Sequence, residues 1–245
     1  MVKIGHAAKD ERGRYSGGAA GDQTGREVYV RSWYNRPWSH VLRADDPGMA
    51  ERIAVAMENA CATPLIGYDQ GQRNSLLSRV RTLGYNPGLV ESPCECDCSS
   101  LVSVCCMYAG VPETALYREG NCCTTSTLRE ALMRTGQFAT LKATVYTNSP
   151  DRLMRGDILL YEGHHVAVAL EDGGSYPVLR RGSFGPEVRR LQGELAARGH
   201  EIDVDGEFGP QTGRAVIAYQ GAHALAVDEI VGPRTWRELR GAAKV

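Results

Sequence analysis

A run of turn-forming residues at 172–177 divides the chain into two parts with different hydrophobic patterns. Glycine, serine and proline are concentrated there, which is typical of a linker. The part before it mixes helical spacing with short apolar runs that predict strands, whereas the part after it shows helical spacing alone. We therefore expect one domain over residues 1–172, a linker at 173–177 and a small three-helix domain over residues 178–245.

The predicted elements of the first part are helices mixed with strands. Helices are predicted at 47–62, at 69–83, from Cys98 to about Gly110, and at 124–135. Strands are predicted at 27–33, 157–161 and 165–170. In the second part, helices are predicted at 186–198, 212–223 and 233–239. The residues predicted to form its core are Val188, Leu191, Leu195, Val216, Tyr219 and Trp236.

Composition excludes several classes of protein. The 245 residues are 42% hydrophobic, which is enough for globular cores. A net charge of -1 gives no field that would attract nucleic acid. No apolar run reaches the roughly 20 residues of a membrane helix, and the first residues lack the apolar centre of a signal peptide. We expect a globular protein made in a cytoplasm, without membrane insertion, and composition leaves the oligomeric state open.

The cysteines form one local feature, because seven of the eight lie between Cys94 and Cys123. A disulfide scaffold is disfavoured in a chain of this length without an export signal. A zinc site made by Cys94, Cys96, Cys98 and the pair at 122–123 is an alternative. Structural zinc ligands are more often separated by two to four residues than by one. We therefore expect no metal and no cofactor, with zinc as the rival.

The sharpest candidate site is the sequence DCSSLV at 97–102, a polar run that opens a predicted helix. Cys98 stands at the helix N-terminus, where free amides and partial positive charge favour a thiolate, so we expect its pKa to be depressed. A thiolate is a nucleophile, and the amide of Cys98 or Ser99 would stabilise an oxyanion. Asp97 is the predicted helix cap. His165, at the start of an apolar strand, is the predicted base, and His164 is the competing one.

Three motifs in series carry a resemblance to a known family: DCSSLV at 97–102, RGDILL at 155–160 and GHHVAV at 163–168. The series resembles the NlpC/P60 and CHAP superfamily, with its bacteriophage amidases, over residues 1 to about 172. The resemblance implies a papain-like α+β fold in which the cysteine helix packs against an antiparallel sheet. It implies Cys98 as nucleophile and His165 as base. Tyr68 is similar to a tyrosine that lines the family's site, although a core tyrosine would look the same.

The family's third polar residue, on the strand after the histidine, has no counterpart before the linker. The sequence IGHA at 4–7 resembles the family's strand that follows the base. We therefore predict a circular permutation in which N-terminal strands complete the sheet and His6 orients the imidazole. The fallback residues for this role are Glu171, Asp22 and Glu27. The aromatic residues Trp33, Tyr34 and Trp38 are predicted either to wall a substrate groove or to form core.

The second part contains two similar turns, DGEFGPQT at 205–212 and VGPRTW at 231–236. Each places a proline at a helix start, and together they suggest an internal half-repeat. Residues 178–241 resemble the type 1 peptidoglycan-binding domain, which implies that this part binds bacterial cell wall. The residues of the most characteristic loop, predicted either to bind ligand or only to shape the turn, are Asp205, Phe208, Gly209 and Thr212.

Together the two resemblances imply a phage endolysin-like cysteine amidohydrolase that acts on peptidoglycan. The expected reaction is that of an N-acetylmuramoyl-L-alanine amidase, in which Tyr68, Asp97 and Ser99 contact the substrate. The first alternative is an endopeptidase that cuts between D-glutamate and the diamino acid of the stem peptide. The second is a non-catalytic wall-binding protein with a metal-loaded cysteine cluster. The expected place of action is the wall, reached after release from the host cytoplasm.

Overall fold

The computed structural model describes residues 2–174 and 176–241. The chain divides into two compact units, the first made of Met1–Ala44 and Met49–Asp172 and the second of Asp45–Gly48 and Gly173–Val245. Three parts of the predicted domains and linker lie outside the described residues. They are Met1, Ser175 of the predicted linker at 173–177, and residues 242–245 at the end of the second predicted domain. The chain divides after Asp172, and the short segment 45–48 groups with the second unit.

The first unit contains a six-stranded sheet made of β1 (Lys3–Ala7), β2 (Val28–Ser32), β3 (His40–Ala44), β8 (Phe138–Leu141), β9 (Ile158–Tyr161) and β10 (His165–Ala169). The strands lie in the order β2-β1-β10-β9-β3-β8, and all neighbours pair antiparallel. Two small sheets pair β4 (Ile66–Tyr68) with β5 (Cys94–Cys96) and β6 (Tyr117–Arg118) with β7 (Asn121–Cys122).

Six helices accompany these strands in the described part of the first unit. They are α1 (Pro47–Ala62), α2 (Ser75–Val80), α3 (Cys98–Tyr108), α4 (Glu113–Leu116), α5 (Leu128–Met133) and α6 (Thr144–Thr147), with a 3-10 helix at Pro87–Leu89. Helix α3 packs against β10 and α2, and ten of its eleven residues are buried. The described helices are all too short or too polar to cross a membrane.

The N-terminal strand completes the sheet beside the strand that carries His165. Strand β1 pairs antiparallel with β10 through Ile4 and Gly5, and β2 pairs on its other side. Gly5 is required by the packing of α1, because a Cβ at this position would collide with the side chain of Met57. Residues far apart in the chain, His6 and His165, are thereby carried on adjacent strands.

Two predicted helices are shorter than the sequence pattern indicated. The helix expected at 69–83 is confined to Ser75–Val80, because the Asp69 carboxylate accepts hydrogen bonds from the amides of Gly71 and Gly17 and holds a turn instead. The helix expected at 124–135 spans only Leu128–Met133. Strands β3 and β8 lie in segments for which the sequence predicted no element.

The second unit has three helices in its described part, α7 (Pro186–Ala196), α8 (Pro210–Ala222) and α9 (Pro233–Gly241). All six residues predicted for its core are buried. The predicted half-repeat has a counterpart in two buried glutamines. Gln192 donates to Asp205 Oδ1 and the Glu207 carbonyl, and Gln220 donates to Asp228 Oδ1 and the Ile230 carbonyl. Each glutamine thus ties a helix to the turn that opens the next one.

Two acidic side chains are buried together below the loop that precedes β2. The Glu27 carboxylate accepts hydrogen bonds from the amides of Gln23 and Tyr68. Glu95 accepts one from the Gly21 amide through Oε1, while its Oε2 is buried without a partner. Burial, followed by the charge of Glu27 among other acidic groups, raises the pKa of Glu95 to about 8. Glu95 is therefore a carboxylic acid at neutral pH.

Glu95→Gln is expected to stabilise the protein at alkaline pH. A folded-state pKa raised from 4.5 to about 8 means that stability is complete below pH 4.5 and decreases as the pH rises through 8. The amide keeps the acceptor for Gly21 and cannot ionise, so the free energy of unfolding at pH 9 should rise by about 1–2 kcal/mol. Urea unfolding at pH 6 and pH 9 measures this, with the exposed Glu91→Gln as control. A variant less stable than the parent at pH 9 contradicts the assignment.

Candidate active site

The N-terminus of α3 is fixed by a reciprocal cap, and the helix begins at Cys98 as predicted. Asp97 accepts a hydrogen bond from the Ser100 amide at 2.7 Å, and Ser100 Oγ accepts one from the Asp97 amide at 2.9 Å. Two amides that a helix start would leave free are thereby satisfied. The cap holds the Cys98 backbone in one position.

Arg73 is a residue of this site that the sequence did not reveal. Its guanidinium pairs with the Asp97 carboxylate at 2.8 Å and donates to Ser99 Oγ at 2.9 Å. It also donates to the carbonyls of Cys122 and Cys123. No sequence signal marks it, since a lone arginine in a predicted helix is ordinarily a surface residue. Arg73 therefore ties the α3 cap to the β7 segment.

Cys98 is buried, and this overturns the prediction of a depressed pKa. Only 6% of the residue is exposed. Burial, and then the nearby Asp97 charge, raises the pKa of Cys98 to about 12, although the backbone amides of Val166 and Ser99 and the charge of Arg73 act in the opposite direction. Desolvation disfavours a thiolate more than the helix start favours one. The resting side chain is a neutral thiol next to the amide that follows His165.

His165 and His6 form a hydrogen-bonded pair in the interior. His6 Nδ1 lies 2.9 Å from His165 Nε2, and both residues are buried. Burial is the main cause that lowers the pKa of His165 to about 3 and that of His6 to about 4. The charges of Arg31 and Arg36 lower both further. Both imidazoles are therefore neutral at physiological pH.

The pairing indicates which nitrogen of His165 is available for chemistry. Because Nε2 is engaged with His6, the other ring nitrogen, Nδ1, is left to face a reacting group. With His165 as donor and His6 as acceptor, His165 Nδ1 is the basic nitrogen. His6 Nε2, which would then carry the proton, is buried without a partner. His6 thus engages Nε2 of the His165 imidazole and leaves Nδ1 outside this pair.

The competing residues occupy different surroundings. His164 is exposed and stacks on the Tyr161 ring, with centroids 4.1 Å apart. Of the fallback residues for orienting the base, Glu171 accepts from the Lys3 amide and Asp22 caps the turn at 24–26. Glu27 accepts from backbone amides, as described above. Of these candidates, His6 makes the contact with His165.

A cavity of about 820 Å³ opens on these side chains. Cys98, His165, His6 and the competing His164 all line it, together with Tyr68 and Tyr34. Burial, and then the charges of Cys98 and other groups, raises the pKa of Tyr68, whose hydroxyl accepts a hydrogen bond from Gln70 at 3.2 Å. The two tryptophans considered for the groove, Trp33 and Trp38, pack in the core on one face of the sheet.

Several residues predicted to contact substrate have hydrogen-bond partners within the protein, and their contact with substrate stays a prediction. Asp97 and Ser99 are absent from the cavity wall, and their side chains bond to each other and to Arg73. In the second unit, Asp205 and Thr212 accept hydrogen bonds from Gln192, and Phe208 is buried. Gly209 caps α8. Asp97 and Ser99 are therefore parts of the α3 cap, and the four residues of the second unit are parts of the turn before α8.

The cysteine cluster does not form the alternative zinc site. All eight cysteines are free thiols. Across residues 2–174 and 176–241, no three side chains of His, Cys, Asp or Glu are placed to hold a metal ion together. The geometry of the described residues therefore does not fit a zinc centre.

The structure thus defines a two-unit protein, with a thiol and paired imidazoles in a cavity of a mixed α/β domain and a helical domain after it. The chain belongs to the endolysin-like domain family, whose sequence profile matches residues 4–176. Residues 184–239 match the profile of a peptidoglycan binding domain. The relation to the NlpC/P60 and CHAP superfamily, and with it the papain-like fold, stays a prediction.

Relatives of known name match shorter segments. The chain is 42% identical over 64 residues to the zinc D-Ala-D-Ala carboxypeptidase of Streptomyces albus G, covering 25% of each chain. It is 44% identical over 57 residues to the N-acetylmuramoyl-L-alanine amidase CwlM of Mycobacterium tuberculosis, 23% of this chain and 14% of that one. The chain thus spans a quarter or less of the length of these two relatives.

Among solved structures, a Burkholderia AP3 phage endolysin is 40% identical over 29% of this chain and 27% of its own, with a TM-score of 0.27. The SleB N-terminal domain is 37% identical, covering 29% of this chain and 97% of that one, with a TM-score of 0.28. Both likenesses are confined to a part of the chain.

Proposed function

We propose that this chain hydrolyses an amide bond of peptidoglycan, with Cys98 as nucleophile, His165 as base and His6 as the residue that orients the base. The proposal is supported chiefly by one observation: Cys98 lines the same cavity as the hydrogen-bonded pair of His165 and His6, in an endolysin-like domain. The peptidoglycan binding domain supports the wall as the substrate. A fold alone would leave the substrate open.

The chemistry starts from a neutral thiol and a neutral imidazole. As Cys98 Sγ attacks the amide carbonyl, His165 Nδ1 takes the thiol proton, so no thiolate has to exist beforehand. The imidazolium then gives this proton to the leaving amine, the C–N bond breaks and a thioester remains. Water attacks the thioester with His165 as base, which releases the carboxylic acid and regenerates the thiol. The amides at the start of α3 are the donors for the oxyanion.

The bond we favour is the amide between the muramoyl group and L-alanine. It is supported by the names of two relatives that match 57 and 68 residues of the chain, the N-acetylmuramoyl-L-alanine amidase CwlM and a Bacillus licheniformis protein named "Probable N-acetylmuramoyl-L-alanine amidase". The alternative is the bond between D-glutamate and the diamino acid. Mass spectrometry of digested wall decides between them. A new free amine on alanine supports the amidase, and one on the diamino acid supports the endopeptidase.

The activity is expected to persist in acid. An imidazole with a pKa of about 6.5 would leave roughly 3% in the basic form at pH 5, whereas the lowered pKa of His165, about 3, leaves it almost entirely neutral there. Initial rates of fragment cleavage at pH 5 and pH 7 should therefore agree within about twofold. Circular dichroism at each pH controls for unfolding, because two buried neutral histidines destabilise the fold as the pH falls below 6.5. An acid limb centred near pH 6.5 contradicts the assignment.

The second unit is expected to act as a tether. Attachment to an insoluble substrate raises the local concentration of the first unit without any new contact at the reacting bond. The full chain should therefore clear wall suspensions faster than a variant whose second unit no longer binds wall, while both cleave a small soluble fragment equally. Equal rates on wall would contradict the tethering role.

A further inference from the structure

Two arginines beside the histidine pair line the cavity without a carboxylate partner. In the described part of the chain, no ion pair includes Arg31 or Arg36. Several other arginines of the first unit are paired, as Arg43 is with Asp157 and Arg155 with Glu58. Arg26 also lines the cavity and is in no ion pair among the described residues, but it is exposed to solvent, whereas Arg31 and Arg36 are half-buried. Half-buried guanidinium groups without a counter-ion are costly, so an unpaired pair in a cavity points to an anion from outside.

The two guanidinium groups are held in place by one tyrosine. The Arg31 guanidinium lies over the Tyr34 ring, 4.1 Å from its centroid. Arg36 donates from Nη1 to the Tyr34 hydroxyl at 3.1 Å and lies over the Tyr161 ring. Stacking and a hydrogen bond restrict both side chains before any ligand arrives, which lowers the entropy cost of binding. The arrangement is therefore that of a preformed site.

Arg31 and Arg36 lie close to the two histidines of the proposed site. On β2, Arg31 lies opposite Ile4 and Tyr29 lies opposite His6, so Arg31 and His6 project from the same face of the sheet. Both arginines are close enough to lower the pKa of His6 and of His165 through their charge. A ligand anion bound here would lie next to the amide that Cys98 attacks.

The cavity's own acidic groups do not neutralise this site. Asp10 and Glu11 also line the cavity, but both pair with Arg12, at 2.7 Å and 3.5 Å. Lys9, also in the wall, lies over the Tyr15 ring. The unpaired charge around the reacting groups is therefore positive, which favours an anionic substrate.

We propose that Arg31 and Arg36 bind the free α-carboxylate of the stem peptide's D-glutamyl residue, and so select substrates in which this carboxylate is not amidated. The inference rests on the proposed function. A guanidinium fork matches the planar carboxylate, and D-glutamate linked through its γ-carboxyl leaves the α-carboxylate free within reach of either candidate bond. An α-carboxamide has the same shape but offers only one acceptor oxygen, carries no charge and brings an N–H₂ donor against two cations.

The test compares muramoyl tripeptides that differ at single groups. One carries D-glutamate, the second carries D-isoglutamine, and the third carries D-glutamate with an amidated diamino acid. With the parent chain at pH 8, kcat/KM should be about 10- to 100-fold higher for the first than for the second, chiefly through KM, and similar for the first and third. Arg31→Gln and Arg36→Gln should remove most of this preference by losing rate on the first peptide alone.

Arg14→Gln is the matched control, because Arg14 is exposed and lies outside the cavity wall. It should leave the preference unchanged. Equal cleavage of all three peptides by the parent chain, or equal losses on the first and second in the arginine variants, overturns the carboxylate assignment and leaves the hydrolase intact. A preference that follows the diamino acid also overturns it. If the parent chain cleaves none of the peptides, or Cys98→Ala cleaves them equally well, the proposed function fails too.

Discussion

Cys98→Ala is expected to lower the rate of peptidoglycan hydrolysis by about 10⁴-fold or more and to leave wall binding unchanged. The expected loss is large because the sulfur forms the covalent bond to the substrate, and no other thiol of the described residues lines the cavity. Binding should be retained because the segment that matches a peptidoglycan binding domain lies in the second unit. Turbidity clearance and sedimentation of the variant with purified wall measure the two quantities.

Two further variants separate chemistry from folding. Cys98→Ser keeps the size of the side chain and should also lose activity, since a serine hydroxyl gives up its proton less readily than a thiol and is a weaker nucleophile towards the amide carbonyl. Cys61→Ala removes a half-buried thiol that lies outside the cavity wall and should keep the parent rate. Full clearance by Cys98→Ala would show that another group attacks the amide.

His165→Ala should lower kcat/KM by about 10²- to 10⁴-fold, whereas His164→Ala changes it by less than about threefold. The neighbouring histidines make a matched pair, because both line the cavity and only His165 is buried against His6. Hydrolysis of a soluble muramoyl peptide, followed by mass spectrometry, measures both. A larger loss in His164→Ala than in His165→Ala would reverse the assignment of the base.

His6 is expected to act through His165. His6→Ala should lower kcat by about 10- to 100-fold with little change in KM, because the imidazole loses the partner that fixes its tautomer. If His6 had only a structural role, His6→Ala would leave the pH profile of kcat unchanged. We expect the variant to shift this profile, because His6 is among the causes that lower the pKa of His165.

Local signals predicted the start of α3 and the core of the second unit. The polar run before an apolar helix places Cys98 at the first turn, and periodic residues such as Leu191 and Trp236 are buried as expected. The helix start and the core depend on spacing along the chain, which the sequence displays directly. The strand that brings His6 to His165 was implied by the resemblance of IGHA at 4–7 to a strand of the NlpC/P60 and CHAP superfamily.

The features that were missed depend on packing between distant segments. The pKa of Cys98 is raised because β10 and the sheet exclude water from the helix start, and no local pattern reports that burial. Arg73 reaches Asp97 across 24 residues. Among the described residues Arg31 and Arg36 are in no ion pair, and the sequence does not show this because carboxylate partners such as Asp157 of Arg43 lie far away along the chain. The helix predicted at 69–83 was too long because Asp69 bonds to Gly17, far away in sequence.

The covalent step is tested most directly by digesting a muramoyl peptide in neutral hydroxylamine and identifying the products by mass spectrometry. A Cys98 thioester is open to attack by hydroxylamine as well as by water, so the account predicts a hydroxamate on the acyl side of the cleaved bond, and this product also identifies the bond. Direct attack of water on the amide forms no acyl-enzyme. Products that carry only carboxylic acid, at rates equal to those without hydroxylamine, would contradict the account.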